Sequence, residues 1–153
     1  MRKVLAINSS LCVGCRMCEM ACSLHKSGDT FSPNIARIRP IRDEEGRKDY
    51  PVVCRHCKTP PCLKACPVKA EEKPIVKDAE TGIVWLFSNK GCIGCYECVK
   101  ACPFGAIYID TEDGTVLKCD LCEGDPECVR WCPNGAITYS ETRKLSERKY
   151  VKG

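Results

Sequence analysis

The apolar residues of this chain fall in short runs that are separated by turn-forming residues. Short runs rich in Ile, Val and aromatic residues are typical of β-strands. Three pairs of runs predict β-hairpins: Ile75–Lys77 with Ile83–Phe87, Ile107–Ile109 with Thr115–Leu117, and Ile35–Arg39 with Tyr50–Val53. Gly82 and Gly114 close the first two turns, where glycine suits a positive φ, and Asp43–Gly46 forms the third.

Short helices are predicted around the cysteines, which occur in four groups that we call quartets. The first is Cys12, Cys15, Cys18 and Cys22; the second is Cys54, Cys57, Cys62 and Cys66; the third is Cys92, Cys95, Cys98 and Cys102; the fourth is Cys119, Cys122, Cys128 and Cys132. We expect a helix to begin near the third cysteine of each quartet. Pro67, Pro103 and Pro133 follow three of the quartets and should end those helices, because the residue before a proline avoids the helical conformation. Ser23 takes that place after the first quartet.

The segments after the third and fourth quartets repeat each other. Phe104–Ile109 and Asn134–Tyr139 each place a turn glycine before a short strand. Residues 141–153 are mostly charged and polar, and they form either a mobile end or a docking segment. The pattern as a whole predicts an α+β fold of short helices and hairpins.

The cysteine content changes this picture. Of the 153 residues 16 are cysteine, whereas Leu, Ile, Val and Phe together number only 32. Such a chain needs a bound group in place of an extended hydrophobic core. The first apolar run is broken after Ile7, and we see no signal peptide, twin-arginine leader or transmembrane span. We therefore expect a cytoplasmic protein whose thiols are reduced metal ligands, although export on a partner's signal would leave no trace in this chain.

The spacing of the third quartet, C-x2-C-x2-C-x3-C-P, is that of bacterial ferredoxins. Two-residue gaps let one loop curl around a 4Fe-4S cluster and present three sulfurs, and Gly14 and Gly94 allow the tight turn. A fourth cysteine, separated from the third by three residues, faces away from that loop, and in two-cluster ferredoxins it ligates the neighbouring cluster. The sixteen cysteines therefore predict four 4Fe-4S clusters.

A structural zinc protein and a disulfide scaffold are the alternatives. A four-cysteine zinc site usually takes two C-x2-C pairs separated by a longer stretch, and it needs neither the closely following cysteines nor the proline. The second and fourth quartets have wider middle gaps and would be weaker signals alone. Disulfides are disfavoured because no export signal is seen.

The formal net charge of +4 counts every cysteine as neutral. Iron-bound cysteines are thiolates, so each oxidised cluster site would carry roughly −2 and the loaded protein would lie near about −4. The Lys and Arg excess then compensates buried negative charge. Basic residues alternate with acidic ones and form no stripe with interleaved aromatics, so the sequence does not favour nucleic-acid binding.

A few other residues are candidates for supporting roles. His56 lies inside the second quartet and either donates a hydrogen bond to a sulfur or is an ordinary rim residue. His25 is predicted to lie on the surface. Aromatic residues near the quartets are either electron relays or, as we favour, packing groups: Trp85, Tyr96, Tyr108 and Trp131. No catalytic triad, phosphate loop or nucleotide-binding glycine motif is present.

From Leu5 to Tyr139 the chain resembles the four-cluster ferredoxin-like electron-transfer subunits of dimethyl sulfoxide reductase, formate dehydrogenase and related complexes. Cys54–Pro67 is similar to the second motif of that family and Cys92–Ala106 to the third. The fourth motif, Lys118–Cys128, lacks the long insertion of the dimethyl sulfoxide reductase branch. It resembles instead the small iron–sulfur subunits found with tungsten aldehyde oxidoreductases, which we favour, and those found with carbon monoxide dehydrogenases. The stretches Cys22–Gly28 and Phe31–Ile38 also resemble those small subunits.

The resemblance implies two tandem, pseudo-twofold dicluster units. The first comprises residues 1–53 and 104–140 with quartets one and four, the second comprises residues 54–103 with quartets two and three, and 141–153 form a charged tail. It also implies four ligand sets, numbered here 1 to 4: Cys12, Cys15, Cys18 and Cys132; Cys22, Cys119, Cys122 and Cys128; Cys54, Cys57, Cys62 and Cys102; Cys66, Cys92, Cys95 and Cys98. Sequence distance argues differently, because the spacer between Cys102 and Cys119 is short enough to pair quartets three and four.

The function that follows is an electron-transfer subunit with no catalytic site of its own. Its expected partner is a large catalytic subunit of the tungstopterin type, with a soluble ferredoxin or a further redox subunit as a second partner. An electron carrier of a carbon monoxide dehydrogenase or hydrogenase, and a free polyferredoxin, are the alternatives. No direct insertion into a membrane is expected.

Overall fold

The structure is a computed structural model, and it describes residues 2–43, 45–46 and 48–141. Within these residues the helices are short. The α-helices are Met17–Ser27 (α1), Pro61–Ala65 (α2), Glu97–Ala101 (α3) and Glu127–Arg130 (α4), and the 3-10 helices are Ser9–Leu11, Ala70–Glu72 and Leu121–Gly124. The strands are Lys3–Ile7 (β1), Ile38–Arg42 (β2), Asp49–Val53 (β3), Ile75–Lys77 (β4), Val84–Leu86 (β5), Ile107–Ile109 (β6), Val116–Lys118 (β7) and Ile137–Glu141 (β8).

The strands of the described residues pair in twos, always antiparallel: β1 with β8, β2 with β3, β4 with β5, and β6 with β7. The α+β class is therefore confirmed. Two predicted hairpins form with their glycine turns in place, since φ is +74° at Gly82 and +76° at Gly114. These positive values explain why glycine ends each turn.

The third hairpin forms, but its first strand lies further along the chain than predicted. Its first strand begins at Ile38, so the strand prediction was wrong for Ile35, Ala36 and Arg37. The amides of Ile35 and Ala36 donate to the carbonyls of Ser32 and Pro33, which closes a turn there. The Arg37 N–H donates to Cys22 Sγ at 3.2 Å. The backbone donors of this segment therefore serve a turn and a sulfur and are not available to a sheet.

Each α-helix begins one residue before the third cysteine of its quartet, as the pattern predicts. α2, α3 and α4 span only five, five and four residues before their prolines. α1 spans 11 residues because Ser23 replaces the proline. It ends at Gly28, whose φ of +88° lets its N–H reach the Leu24 carbonyl.

The pairing of β1 with β8 joins the two ends of the described chain. Lys3 lies opposite Glu141 and Ile7 lies opposite Ile137. α1 packs against α4, and α2 packs against α3. The first and last quartets are thereby brought side by side, and so are the second and third.

The buried apolar side chains form two clusters that include cysteines. The first contains Leu5, Cys18, Cys22, Ala36, Ile38, Val53, Ile83, Leu121, Cys128 and Ile137; the second contains Cys62, Ile75, Val84, Cys98, Ile107 and Val116. Ile107 and Val116 belong to the hairpin β6–β7, which the expected domain limits assign to the first unit with residues 104–140. Their side chains pack with the second cluster, and the limits of the two units stay a prediction.

Candidate metal centres

One cavity brings together three cysteines of the first quartet and one of the fourth. Cys12, Cys15, Cys18 and Cys132 line a space of about 340 Å³ that is partly open to solvent. Cys18 lies in α1 and Cys132 follows α4, so the packing of these helices carries the sulfurs to one place. Burial raises the pKa of Cys18 to about 12, and the charges of Cys12, Cys15 and Cys132 contribute to that rise.

A second cavity also brings together three cysteines of one quartet and one cysteine of another. Cys66 of the second quartet lies there with Cys92, Cys95 and Cys98 of the third, around a space of about 320 Å³. Burial raises the pKa of the Cys98 thiol to about 11, and the charges of Cys62 and Cys92 add to it. Each of the two cavities is thus lined by three cysteines of one quartet and one cysteine of a second quartet.

The buried cysteines also cluster across quartets. Burial raises the pKa of Cys128, and the charges of Cys119, Cys22 and Cys122 raise it further. These four sulfurs are therefore close neighbours, although Cys22 comes from the first quartet and the others from the fourth.

Cys62 has neighbours from two quartets. Burial raises the pKa of its thiol, and the charges of Cys54, from the same quartet, and of Cys102, from the third, also raise it. The structure thus brings Cys102 beside the second quartet.

The donor set fits iron–sulfur clusters. The buried thiols lie close enough to repel one another as thiolates, so several of them ionise together only around a strongly cationic core. Among the residues described, no three His, Cys, Asp or Glu side chains converge on a single metal ion, and no cysteine is joined in a disulfide. Four cysteines drawn from two quartets line each of the two cavities, and such a set suits a core of several irons.

A left-handed residue stands between the first two cysteines of every quartet. Gly14 and Gly94, which the pattern marks, have φ values of +66° and +65°. His56 and Leu121 occupy the equivalent positions with φ values of +44° and +60°, and each side chain is only 1% exposed. Aligning the quartets on their first two cysteines would have identified both. Burial of these side chains offsets the strain that glycine avoids.

Backbone amides donate to several cysteine sulfurs. The N–H groups of His56 and Leu121 each lie 3.4 Å from the first cysteine of their quartets, Cys54 and Cys119. The Ala106 N–H lies at the same distance from Cys102 Sγ. Such N–H groups favour the thiolate and stabilise added negative charge on a cluster.

The imidazole of His56 hydrogen-bonds to the backbone of a strand and to none of the described sulfurs. Its Nδ1 accepts the Val84 N–H at 3.0 Å, while Nε2 is buried without a partner among the described residues. Burial, with the charges of Lys118 and Arg2, lowers the pKa of His56 to about 3. The ring is therefore neutral at pH 7, and its free N–H is on Nε2.

The aromatic side chains near the quartets make structural contacts. The hydroxyl of Tyr96 donates to the Gly114 carbonyl at 3.1 Å, and that of Tyr108 donates to the Val52 carbonyl at 2.8 Å. Trp85 stacks on Phe87 with ring centroids 6.1 Å apart. These contacts agree with the packing interpretation. His25 is exposed, as expected.

Asp120 links the first and fourth quartets electrostatically. Its carboxylate lies 2.8 Å from both Lys26 and Arg37, and its other oxygen accepts the Cys122 N–H at 3.0 Å. Burial tends to raise the pKa of Asp120, but the hydrogen bond from Lys26 and the charges of Lys26 and Arg37 outweigh it, so the pKa lies below the usual value. The carboxylate holds Arg37, whose amide binds Cys22 Sγ.

We expect Asp120→Asn to destabilise the folded protein by about 2 kcal/mol or more, because two partly buried cations lose their partner while the amide still caps Cys122. The measurement is the denaturant midpoint for bleaching of the visible absorbance under anaerobic conditions. Asp125→Asn is the matched control, since its pair with Arg130 is solvent-exposed and should contribute less than about 1 kcal/mol. Equal shifts in the two variants would contradict the role given to Asp120.

Comparison with known families gives two matches that together include all sixteen cysteines. A family model described as 4Fe-4S dicluster domain matches residues 48–142, and one described as 4Fe-4S binding domain matches residues 9–25. The matched part of the chain spans between 18% and 77% of the length of the curated relatives.

Two curated relatives belong to oxidoreductases. The aliphatic sulfonate oxidoreductase, polyferredoxin-like subunit, of Pyrococcus furiosus is 39% identical over 122 residues, which cover 80% of this chain and 66% of the relative. A tetrathionate reductase subunit of Salmonella typhimurium is 34% identical over 128 residues, which cover 79% and 48%. Among solved structures, a chain of the active site complex BamBC of benzoyl coenzyme A reductase, in complex with benzoyl-CoA, has a TM-score of 0.51 and 26% identity over 95% of this chain and 85% of that one.

Proposed function

Because this chain belongs to the 4Fe-4S dicluster domain family, we propose that it is the electron-transfer subunit of an oxidoreductase complex and that a partner subunit carries out the bond chemistry. It binds four 4Fe-4S clusters on its four cysteine quartets. When bound, such a cluster takes up or releases one electron at a time. The single observation that carries the proposal is the set of sixteen cysteines, whose sulfurs converge across quartets.

The proposed cluster ligands are the four sets named above, each with one cysteine from a second quartet. Sets 1 and 4 are supported by the two cavities. Set 2 is supported by the mutual charge effects of Cys22, Cys119, Cys122 and Cys128. Set 3 is supported by those of Cys54, Cys62 and Cys102, and Cys57 completes it by its place in the same loop.

Charge effects between cysteines of different sets support a linear order from set 1 to set 4. Cys18 of set 1 raises the pKa of Cys128 in set 2, which is already raised by burial. Cys54 of set 3 likewise adds to the raised pKa of Cys119 in set 2. Cys62 of set 3 adds to the raised pKa of Cys98 in set 4. Sets 2 and 3 are then the inner pair, and sets 1 and 4 are the ends.

The chain's own residues provide three things in this role. The thiolates hold the irons, the buried loops of His56 and Leu121 exclude water from the inner sets, and backbone N–H groups stabilise the added negative charge. The ends are more open, because Cys15 is exposed and Val13 and Ile93 are 62% and 68% exposed in the loops of sets 1 and 4.

For the partner we propose a catalytic subunit of the tungsten aldehyde oxidoreductase type, in the cytoplasm. The support is the compact stretch Lys118–Cys128, which resembles the small iron–sulfur subunits of those enzymes. None of the helices in the described part of the chain is long and apolar enough to cross a membrane.

Purification of the tagged chain from its native host under anaerobic conditions tests the proposal. We expect about sixteen irons per chain, a large co-purifying subunit that contains tungsten, and bleaching of the visible absorbance when an aldehyde is added to the complex. Nickel in the co-purifying subunit would favour the carbon monoxide dehydrogenase alternative. A chain that purifies alone, yet reduces several unrelated enzymes, would favour a free polyferredoxin.

We expect Val13→Glu and Ile93→Glu each to slow electron transfer at least tenfold, the first at set 1 and the second at set 4. The reason is that a charge buried at a docking surface costs several kcal/mol. One variant should slow reduction by the catalytic partner and the other should slow reduction of the acceptor. Stopped-flow kinetics with iron analysis of each variant measures this. Val76→Glu is the control, since Val76 is 40% exposed but lines neither cavity. Wild-type rates in both end variants would contradict the assignment.

A further inference from the structure

Lys118 is the only lysine or arginine among the described residues whose side chain is buried, at 4% exposure. It is the last residue of β7 and precedes Cys119 of ligand set 2. Its Nζ donates to the Cys119 carbonyl at 2.9 Å and to the Val84 carbonyl. The ammonium group is therefore held in one position by two carbonyls from different hairpins.

No carboxylate of the described residues pairs with this ammonium group. Asp120 is nearby in sequence, but its carboxylate is engaged by Lys26 and Arg37. A buried ammonium without an anion is strongly disfavoured, since removing an ion from water costs several kcal/mol. Two neutral carbonyls satisfy its hydrogen bonds but leave its charge uncompensated.

The anionic groups beside Lys118 are cysteine sulfurs of two different sets. Cys119 of set 2 is the next residue in the chain, and Val84, whose carbonyl accepts from Lys118 Nζ, packs in one buried cluster with Cys62 of set 3. Burial raises the pKa of both thiols, and the charge of Lys118 opposes that rise. The other titratable ring at this place is His56, which is neutral because burial and the charges of Lys118 and Arg2 lower its pKa to about 3.

We infer that Lys118 is a buried counter-charge shared by the clusters of ligand sets 2 and 3, and that it raises the reduction potentials of these inner clusters above those of the outer two. The inference rests on the ligand sets of the proposed function. Reduction adds negative charge to a cluster, and a fixed positive charge in a poorly solvated interior favours the reduced form. The inner pair is therefore reduced first, and an electron taken up at either outer cluster passes to the clusters of sets 2 and 3.

The test is redox titration of the isolated holoprotein, monitored by EPR, in which all four midpoint potentials are measured. In Lys118→Gln, which keeps a donor for the carbonyls, we expect two of the four reduction equilibria to shift at least tenfold toward the oxidised form, or about 59 mV for one electron. Lys118→Arg keeps the charge and should keep both potentials. Lys100→Gln is the matched control, because Lys100 is 69% exposed and solvent screens its charge.

Iron analysis covers the case in which the neutral variant does not hold its clusters. Loss of iron in Lys118→Gln with full iron in Lys118→Arg supports the inference, because it shows that the charge is required. Unchanged potentials in Lys118→Gln, an equal shift of all four, or the same behaviour in both Lys118 variants would overturn it. The partner is absent from these measurements, so they are independent of the test of the proposed function by co-purification.

Discussion

Replacing Cys12 and Cys132 together by alanine will leave three intact 4Fe-4S clusters, whereas replacing Cys12 and Cys22 together will leave only two. The two variants remove the same number of thiols, and they share Cys12. In the first, both thiols come from ligand set 1, whose sulfurs line one cavity. In the second, one thiol comes from set 1 and the other from the neighbourhood of Cys128. A cluster that loses one ligand is damaged as surely as a cluster that loses two.

Mössbauer spectroscopy of iron-57-loaded protein counts the intact clusters directly. The second and third quartets offer an independent pair of variants, since Cys66→Ala/Cys92→Ala should leave three clusters and Cys54→Ala/Cys66→Ala should leave two. If each quartet bound its own cluster, both results would be reversed. If quartets three and four were partners, as their short spacer suggests, Cys12→Ala/Cys132→Ala would also damage two clusters.

The elements that the sequence predicts best are those set by local chemistry. Helix starts at the third cysteines, the hairpin turns at Gly82 and Gly114, and the long first helix allowed by Ser23 all depend on residues close together in the chain. A proline or a glycine limits its neighbours whatever the rest of the protein does. The local pattern was insufficient where another part of the chain competes for the backbone, as at Arg37, whose amide binds Cys22 Sγ.

The relations that the sequence does not contain are the long-range ones. Nothing in Lys3–Ile7 identifies Ile137–Glu141 as its partner, although that pairing aligns the first and fourth quartets. The buried position of Lys118 is equally unexpected, because lysine is mostly a surface residue. Its burial follows from the position of β7, whose last residue lies between strand β5 and the loop of Cys119.

Gly91→Ala will be among the most destabilising single substitutions outside the cysteines. Gly91 precedes the third quartet with a φ of +65°, and a Cβ there would overlap the backbone carbonyl oxygen of Glu72. Glu72 ends a 3-10 helix and cannot move as a flexible side chain would. The left-handed backbone costs an alanine about 1–2 kcal/mol, and forced overlap in a packed site adds about 1–3 kcal/mol.

Gly105→Ala separates these two contributions. Gly105 has a φ of +57°, but an added Cβ would meet nothing within 4 Å. We expect this control to lower the anaerobic thermal midpoint by about 4 °C and Gly91→Ala to lower it by about 10 °C, at one fixed scan rate. Equal midpoints would mean that the approach of Glu72 to Gly91 relaxes without cost. A larger loss for Gly91→Ala would show that contact with the segment after the second quartet positions the third quartet. Such a contact would align the two quartets around the clusters that we propose they share.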